Sequence, residues 1–171
     1  MTKVLHQVAP EIVTDRLRLR PYRMEDFLAL VALYDTDRAA FIGGRLPPAK
    51  VWDGFMSCIG HWPLRGFGGW AVEERATGLL AGEVAIHQPP HYPEIELGWL
   101  VFDGFEGRGF AYEAAVVARR FALEAARVER LVSYIDQPNR RSIALAKRLG
   151  ARRDPEALTP NQDPCFVYRH K

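Results

Sequence analysis

FDGFEGRGFAYEAA, residues 102–115, is the stretch that decides the fold of this 171-residue chain. An apolar run over Leu97–Phe102 leads into it, and an alanine-rich helical pattern follows Gly109. Strand, glycine turn and helix N-terminus in that order make an anion site. The amides of the first helical turn are unpaired, and the helix dipole adds about half a positive charge there. Gly107 and Gly109 carry no Cβ, so a phosphate can approach the backbone closely. We therefore expect this stretch to bind a pyrophosphate.

Two common phosphate motifs do not fit this stretch. The kinase-type loop needs a lysine and a hydroxyl after its last glycine, and the sequence has neither there. The dinucleotide fingerprint places a small residue where Tyr112 stands, and it expects its glycines early in a repeating parallel chain. Taken alone, the glycine pair is equally compatible with an ordinary strand-to-helix connection.

The composition is that of an ordinary globular protein. Hydrophobic residues make up 48% of the chain and charged residues 26%, and the length predicts one domain. A formal net charge of +2 gives no argument for nucleic acid. No uncharged apolar run is long enough to span a membrane, and residues 1–10 carry no signal-peptide pattern. Cys58 and Cys165 stand far apart with no histidine at metal spacing, so we expect buried thiols in a reducing cytoplasm and no metal.

Hydrophobic periodicity predicts a single α+β domain. Alternation over 17–22 predicts a strand, and residues 1–12 before it are predicted to form a loose leader. Helices are predicted at 24–34, 49–59, 109–126 and 139–149, and further strands at 70–73, 79–87, 95–102, 130–135 and 166–170. This order predicts a mostly antiparallel sheet with one βαβ crossover after the glycine turn.

Three motifs, in order along the chain, resemble the GNAT N-acetyltransferase superfamily. Glu106–Ala111 (EGRGFA) resembles its acyl-CoA-binding signature Q/R-x-x-G-x-G/A, and GRGFAYEA resembles the GKGYATEA form of the RimJ/RimL-like branch. The opening TDRLRLRP at 14–21 is similar to that branch's T-x-R-L-x-L-R-P. NRRS at 139–142 and KRLGA at 147–151 are similar to its N-x-x-S and K-L-G-F. Three ordered matches are more specific than any one of them.

The resemblance implies the GNAT fold, one domain over residues 1–171. That fold has a mixed, mostly antiparallel sheet of about six to seven strands flanked by about four helices, and its fourth and fifth strands splay apart to admit the cofactor. The resemblance also implies acetyl-CoA as co-substrate, with the acetyl group passing directly to a primary amine in a ternary complex. The acceptor would be a protein N-terminal α-amino group or a small-molecule amine. The branch often forms homodimers.

The resemblance also assigns residues to the coenzyme site. An open strand edge would pair with the amides of the pantetheine arm, and the backbone amides of 107–112 would bind the pyrophosphate. Arg108 would add a charge-assisted contact to phosphate. Asn139 would contact the pantetheine arm, and Ser142 would protonate or hydrogen-bond the thiolate. The residues in these roles are Trp99, Leu100, Val101, Gly107, Arg108, Gly109, Phe110, Ala111, Tyr112, Asn139 and Ser142. An N-cap explains Asn139 equally well, and backbone bonding in a first helical turn explains Ser142.

Acetyl transfer to an amine requires a proton acceptor and a donor for the oxyanion. Glu96 is the predicted base, because it precedes the presumed acetyl site in a strand whose neighbours are mostly apolar. Glu83 and His87 on the preceding strand could hold or replace it through a water. A backbone N–H near Leu100 or Val101 is the predicted oxyanion donor.

Three positions depart from the family pattern. Glu106 replaces the usual Gln or Arg beside the phosphate site, so its carboxylate must point away. Ala146 stands where many members have a tyrosine acid, which removes the tyrosine mechanism, and Ala151 replaces a Phe. These departures leave two alternatives open: a non-catalytic acyl-CoA sensor of the same fold, and an unrelated nucleotide-binding module.

Overall fold

An eight-stranded mixed sheet organises the computed structural model, which describes residues 8–171. In chain order the strands are β1 (Ile12–Val13), β2 (Leu17–Arg20), β3 (Gly69–Glu74), β4 (Leu80–His87), β5 (Ile95–Val101), β6 (Leu131–Asp136), β7 (Arg152–Arg153) and β8 (Cys165–Arg169). Their spatial order is β1-β2-β3-β4-β5-β6-β8-β7, and within residues 8–171 only β5 and β6 pair in parallel. The α+β prediction is confirmed. The expected six to seven strands were too few, because two-residue strands such as β1 and β7 are too short to show an alternating pattern.

Four α-helices flank the sheet: α1 (Met24–Tyr34), α2 (Pro48–Arg65), α3 (Phe110–Arg120) and α4 (Arg140–Arg148). The bounds of α1 are those predicted from its apolar spacing. Helix α2 continues six residues past its predicted end at residue 59, although Pro63 lies in its last turn. Tertiary packing accounts for the extension, since Trp62 is buried and its indole N–H donates to the Gly69 carbonyl at 3.0 Å. A short π-helical turn, Phe121–Ala125, follows α3.

The segment before β1 is anchored to the sheet. Residues 1–7 of the predicted loose leader lie outside the described residues, and for the rest of it the prediction is wrong. Ala9 is buried, and the Pro10 carbonyl accepts a hydrogen bond of 2.8 Å from the Trp70 indole. Ile12 begins β1 and pairs with Leu19. This pairing covers an edge of β2 that would otherwise be open.

Different helices cover the two faces of the central strands. One face carries Val84, Ile86 and Leu97, and the alanine stripe of α3 packs against it with Ala114 and Ala118 fully buried. Alternation along β4 and β5 places Glu83, Ala85, His87, Glu96, Gly98 and Leu100 on the opposite face. Helices α1 and α2 pack over the Leu100 end of that opposite face.

The parallel ladder between β5 and β6 holds for only two residue pairs, Ile95–Leu131 and Glu96–Val132. The antiparallel ladder between β5 and β4, in contrast, continues to Val101. One edge of β5 is therefore open from Leu97 onwards, and this is the predicted splay. β5 and β6 are the fourth and fifth strands of the predicted set, which lacked β1. The connection through α3 is the predicted βαβ crossover.

Ser133 and His170 stabilise the start of this gap. The Ser133 hydroxyl donates to the Leu97 carbonyl at 2.6 Å, and His170 Nε2 lies 3.0 Å from the same hydroxyl oxygen. Because Ser133 uses its own proton toward Leu97, His170 must donate from Nε2. Burial, together with the positive charge of Arg119, lowers the pKa of His170 to about 4.

A buried ion-pair network joins β2, β3 and α1. The Arg20 guanidinium contacts Asp26 at 2.8 and 3.0 Å and Glu73 at 2.7 Å, and all three side chains are buried. Asp26 also accepts the Arg23 backbone N–H at the start of α1. The hydrogen bond to Asp26, opposed by burial, raises the pKa of Arg20 above its ordinary value.

We expect the free energy of unfolding to fall as the pH drops from 6.5 toward 4. His170 has a lower pKa folded than unfolded, so the unfolded chain takes up the proton first, and the contribution of His170 is lost as the pH falls. At pH 5 this loss is about 2 kcal/mol. Urea unfolding at pH 7.5 and pH 5 measures it, and His170→Gln should show a pH dependence smaller by that amount. Equal pH dependence in the two proteins would contradict the assignment.

Replacing Arg20 by methionine should lower the free energy of unfolding by about 3–5 kcal/mol, because buried Asp26 loses its guanidinium partner and buried Glu73 keeps only the longer contacts to Arg18 and Arg23. Arg18→Met is the matched control. Arg18 lies two residues from Arg20 on the same face of β2, but its side chain is half exposed and 3.5 Å from Glu73, so the expected loss is below about 1 kcal/mol. Chemical denaturation at pH 7.5 compares the two. Equal losses would show that burial of the network does not set its contribution.

Candidate functional site

A cavity of about 650 Å³ lies at the gap between β5 and β6. Glu83, Ala85, His87, Glu96 and Gly98 line its floor. Tyr34, Phe41, Tyr92, Tyr134, Trp99, Leu100, Asn139 and Ser142 are among the other lining residues. The structure thus brings five of the predicted site residues to one cavity: Glu96, Trp99, Leu100, Asn139 and Ser142. Val101 and the glycine loop lie outside its lining.

The glycine loop has the backbone that an anion site requires. Gly107 and Gly109 have φ values of 72° and 78°, a left-handed conformation that favours glycine. Gly109 is the N-cap of α3, and no side chain of the described part of the chain caps that helix. The amides of Phe110, Ala111 and Tyr112 in the first turn are therefore left for a ligand or water.

Glu113 ties this loop to the N-terminal motif. One carboxylate oxygen accepts hydrogen bonds from the Thr14 hydroxyl at 2.6 Å and the Arg16 backbone N–H at 3.0 Å, and the other accepts from the Arg16 guanidinium. Arg16 also donates to the Arg108 carbonyl at 2.8 Å. Although burial acts in the opposite direction, these hydrogen bonds lower the pKa of Glu113. Two motifs more than 90 residues apart meet here, and no pattern in the sequence predicts this contact.

The two charged side chains within the loop are both neutralised by protein partners. Glu106 forms an ion pair with Arg38, which also donates to the Val101 carbonyl at 3.1 Å. Burial opposes the effect, but hydrogen bonds from the backbone and from Arg38 lower the pKa of Glu106. Arg108 pairs with Glu74 and lies over the Phe110 ring, 4.4 Å from its centroid. The expected phosphate contact from the Arg108 side chain is thus not the arrangement in this structure.

Ladder alternation decides which β5 amides face the gap. The Phe102 N–H donates to the Ala81 carbonyl at 2.9 Å, so the backbone groups of Leu100 also turn toward β4. Those of Trp99 and Val101 turn toward the gap, although Arg38 occupies the Val101 carbonyl. The expected backbone role of Leu100, as pantetheine edge and oxyanion donor, is therefore wrong. Of these two residues, Val101 has its carbonyl occupied, so Trp99 is the one that offers both its N–H and its C=O to the gap.

Asn139 and Ser142 lie at the other wall of the cavity, at the start of α4. Asn139 Oδ1 accepts the Ser142 backbone N–H at 3.1 Å, so Asn139 is the N-cap that its position allowed. Ser142 Oγ accepts the Trp99 indole N–H at 3.3 Å. The hydroxyl proton of Ser142 therefore stays available for another acceptor. At the other end of α4, the Arg148 guanidinium lies 3.9 Å from the Tyr112 ring centroid.

Glu96 is buried and held at both oxygens rather than solvated. Oε2 lies 2.9 Å from His87 Nε2, and Oε1 accepts the Tyr134 backbone N–H at 3.3 Å. Burial works against it, but the hydrogen bond to Glu96 and the charge of Glu96 raise the pKa of His87. Glu83, on the same face, accepts from the Tyr22 hydroxyl at 2.8 Å, and burial raises the pKa of Glu83.

Other chemistries find less support in this structure. Among residues 8–171, no cluster of three or more His, Cys, Asp or Glu side chains is placed to hold a metal ion. Cys165 lines the cavity, but burial raises the pKa of its thiol to about 11, so it is not a thiolate nucleophile at neutral pH. Within the same range, no helix has the length and apolar character needed to cross a bilayer.

Comparison with known proteins gives one consistent family. Residues 16–152 match the model of the acetyltransferase (GNAT) domain. The chain is 26% identical to the "Uncharacterized protein YkkB" of Bacillus subtilis (strain 168) over an alignment of 170 residues, which covers 94% of this chain and 95% of that protein.

Solved structures agree with this match. An acetyltransferase from Agrobacterium tumefaciens str. C58 is 37% identical, with a TM-score of 0.91 and 95% of each chain covered. A proposed ribosomal-protein-serine acetyltransferase from Vibrio cholerae is 25% identical, with a TM-score of 0.71 and 99% of each chain covered. The name of this second structure agrees with the RimJ/RimL-like character of the motifs. The chain belongs to the GNAT acetyltransferase family.

Proposed function

We propose that this protein transfers the acetyl group of acetyl-CoA directly to a primary amine within a ternary complex. The observation that carries the proposal is that an open strand edge and an uncapped helix N-terminus flank a single gap. Family membership supports acetyl transfer in general. The acceptor and the direct mechanism are our own proposals.

The residues around the gap fit an acylated coenzyme. The backbone N–H and C=O of Trp99 would pair with pantetheine amides, and Asn139 lies across the cavity from them. The uncapped amides of Phe110, Ala111 and Tyr112 would bind the pyrophosphate. Glu106 does not argue against this placement, because Arg38 neutralises it. Glu106 is therefore a weaker argument for a non-catalytic sensor.

The chemistry requires one bond to form and one to break. The amine nitrogen attacks the thioester carbonyl, and an oxyanion develops that the Trp99 or Val101 N–H would stabilise. The C–S bond then breaks, and the Ser142 hydroxyl would hydrogen-bond the leaving thiolate. The amine proton passes to the Glu96–His87 pair. No covalent enzyme intermediate is needed.

We propose a protein N-terminal α-amino group or a small amine as the acceptor. The names of structural relatives support the first choice, and the aromatic cavity rim of Tyr34, Phe41, Tyr92 and Tyr134 suits either. The free cysteines Cys58 and Cys165 support a reducing, cytoplasmic location. A homodimer stays a prediction.

Acetyl-CoA should raise the melting temperature of the protein. At a ligand concentration about 100 times Kd, binding adds about 2.7 kcal/mol, or roughly 5–10 °C for a domain of this size. A scan with acetyl-CoA, with coenzyme A and with 3′-phospho-ADP, which lacks the pantetheine arm, is the measurement. A melting curve unmoved by acetyl-CoA would falsify the proposal. A larger shift with 3′-phospho-ADP would favour the nucleotide-binding alternative.

Gly107→Ala should weaken acetyl-CoA binding at least tenfold, because the methyl group projects from the loop into open space where the pyrophosphate is proposed to sit. Gly104→Ala is the matched control. It has a similar φ of 82° and equally open surroundings, but it lies before the loop. Both variants should lose about 1–2 kcal/mol of stability from backbone strain. Calorimetric titration with acetyl-CoA compares them, and equal affinities would remove the pyrophosphate from this loop.

A further inference from the structure

His87 has a buried ring nitrogen without a partner at the floor of the cavity. Its Nε2 lies 2.9 Å from Glu96 Oε2, whereas no hydrogen-bond partner for Nδ1 exists among residues 8–171. Buried polar atoms in folded proteins nearly always have partners, so each exception needs a reason. Because His87 lines the cavity, a ligand or a water that enters there can supply the partner that Nδ1 lacks.

The contact with Glu96 fixes the tautomer of His87. An ionised carboxylate only accepts hydrogen bonds, so Nε2 must carry the proton. In the neutral ring Nδ1 is then a bare lone pair, which is the form a proton acceptor needs. The residue next to His87 and Glu96 in the cavity floor is Gly98, which has no side chain. A Cβ added at Gly98 would lie 3.7 Å from His87 Cε1 and 3.8 Å from Glu96 Cδ, so glycine keeps this part of the floor open.

Glu96 is better placed to orient the ring than to meet an acceptor. Both of its oxygens are engaged, one by His87 and one by the Tyr134 backbone N–H, and its side chain is buried. It also lies at the last residue pair of the parallel ladder, opposite Val132. A carboxylate held in this way stabilises the imidazolium that forms when Nδ1 takes a proton.

We propose that His87 Nδ1 accepts the proton of the acceptor amine and that Glu96 is the positioning residue. This inference rests on the proposed acetyl transfer. As the N–C bond forms, one proton leaves the amine for Nδ1, giving imidazolium paired with the Glu96 carboxylate. The C–S bond breaks, and the thiolate leaves with its electron pair. His87 then returns its proton to solvent or to the departing thiolate, so charge and protons balance.

The groups around His87 set its pH dependence. Glu96 on β5 and Glu83 on β4 act on it with negative charge, and the Tyr92 ring lies 5.5 Å away. His61 on α2 lies 6.5 Å from His87, but it donates to the Ser57 carbonyl and accepts the Gln88 N–H, so it is neutral. With a raised pKa, His87 becomes a base only above its ordinary titration range. Turnover should therefore rise with pH through a midpoint above 6.5.

Variants at the two positions separate the roles. With peptides bearing a free N-terminal serine or alanine and with a primary alkylamine as probes, thiol release should fall about 100-fold or more in His87→Gln. The Kd for acetyl-CoA should change less than about threefold. Glu96→Gln should lose less turnover and move the acidic limb of the kcat profile to lower pH, because it removes the charge that raises the pKa of His87. Glu129→Gln, an exposed change far from the cavity, is the control.

The opposite pattern would overturn the proposal. If Glu96 were itself the base, the kcat of Glu96→Gln would no longer fall toward acidic pH. The kcat of His87→Gln would still fall, in the pH range in which carboxylates titrate. If no probe is turned over by the unaltered protein although acetyl-CoA binds, the proposed function fails instead.

A second measurement tests the roles of His87 and Glu96 without relying on turnover. Long-range ¹H–¹⁵N correlation spectra of the protein with acetyl-CoA at pH 8 should show His87 with protonated Nε2 and bare Nδ1, and Glu96→Gln should remove this preference. Observation of a protonated Nδ1 in the unaltered protein would exclude His87 as the proton acceptor.

Discussion

The early parting of β5 from β6 is the constraint on which the rest of the structure depends. A strand edge left open inside a sheet exposes backbone groups that must be satisfied in some other way. At both ends of the opening, side chains of this protein donate hydrogen bonds to the exposed carbonyls. Ser133 takes the Leu97 carbonyl and Arg38 takes the Val101 carbonyl. The backbone of Trp99 between them is left for a ligand, so the stabilising contacts also mark where the coenzyme arm would lie.

The arginine-rich first motif holds the two halves of this arrangement together. Arg16 donates hydrogen bonds to Glu113 and to the Arg108 carbonyl, and these contacts fix the position of the loop before α3. Arg20 points inward and joins β2 to β3 and α1. A guanidinium suits both tasks because it presents several donors in a rigid plane and stays charged when buried. Arg16 and Arg20 therefore have different roles although they share the same side of the alternating pattern: Arg16 holds the loop before α3, and Arg20 is buried in the core.

Local patterns predicted what depends on neighbours in sequence, and missed what depends on distant contacts. The apolar spacing of 24–34 gave the bounds of α1, and the glycine turn before α3 lies where the sequence placed it. The pairing of Glu106 with Arg38 and of Ser133 with His170 joins residues far apart, and no local period reports it. Leu100 was assigned from the family motif, but the register with β4 determines where its amide points.

Arg38 connects the side of the cavity where the acceptor would enter to the loop where the coenzyme would bind. It belongs to the short helical turn Asp37–Phe41, whose Phe41 lines the cavity where the acceptor would enter. The same guanidinium contacts Asp103, just before the loop proposed to bind pyrophosphate, and Glu106 within that loop. A glutamate in place of the usual Gln or Arg therefore has a structural use. It gives Arg38 a partner, and the turn at the acceptor side becomes tied to the loop at the coenzyme side.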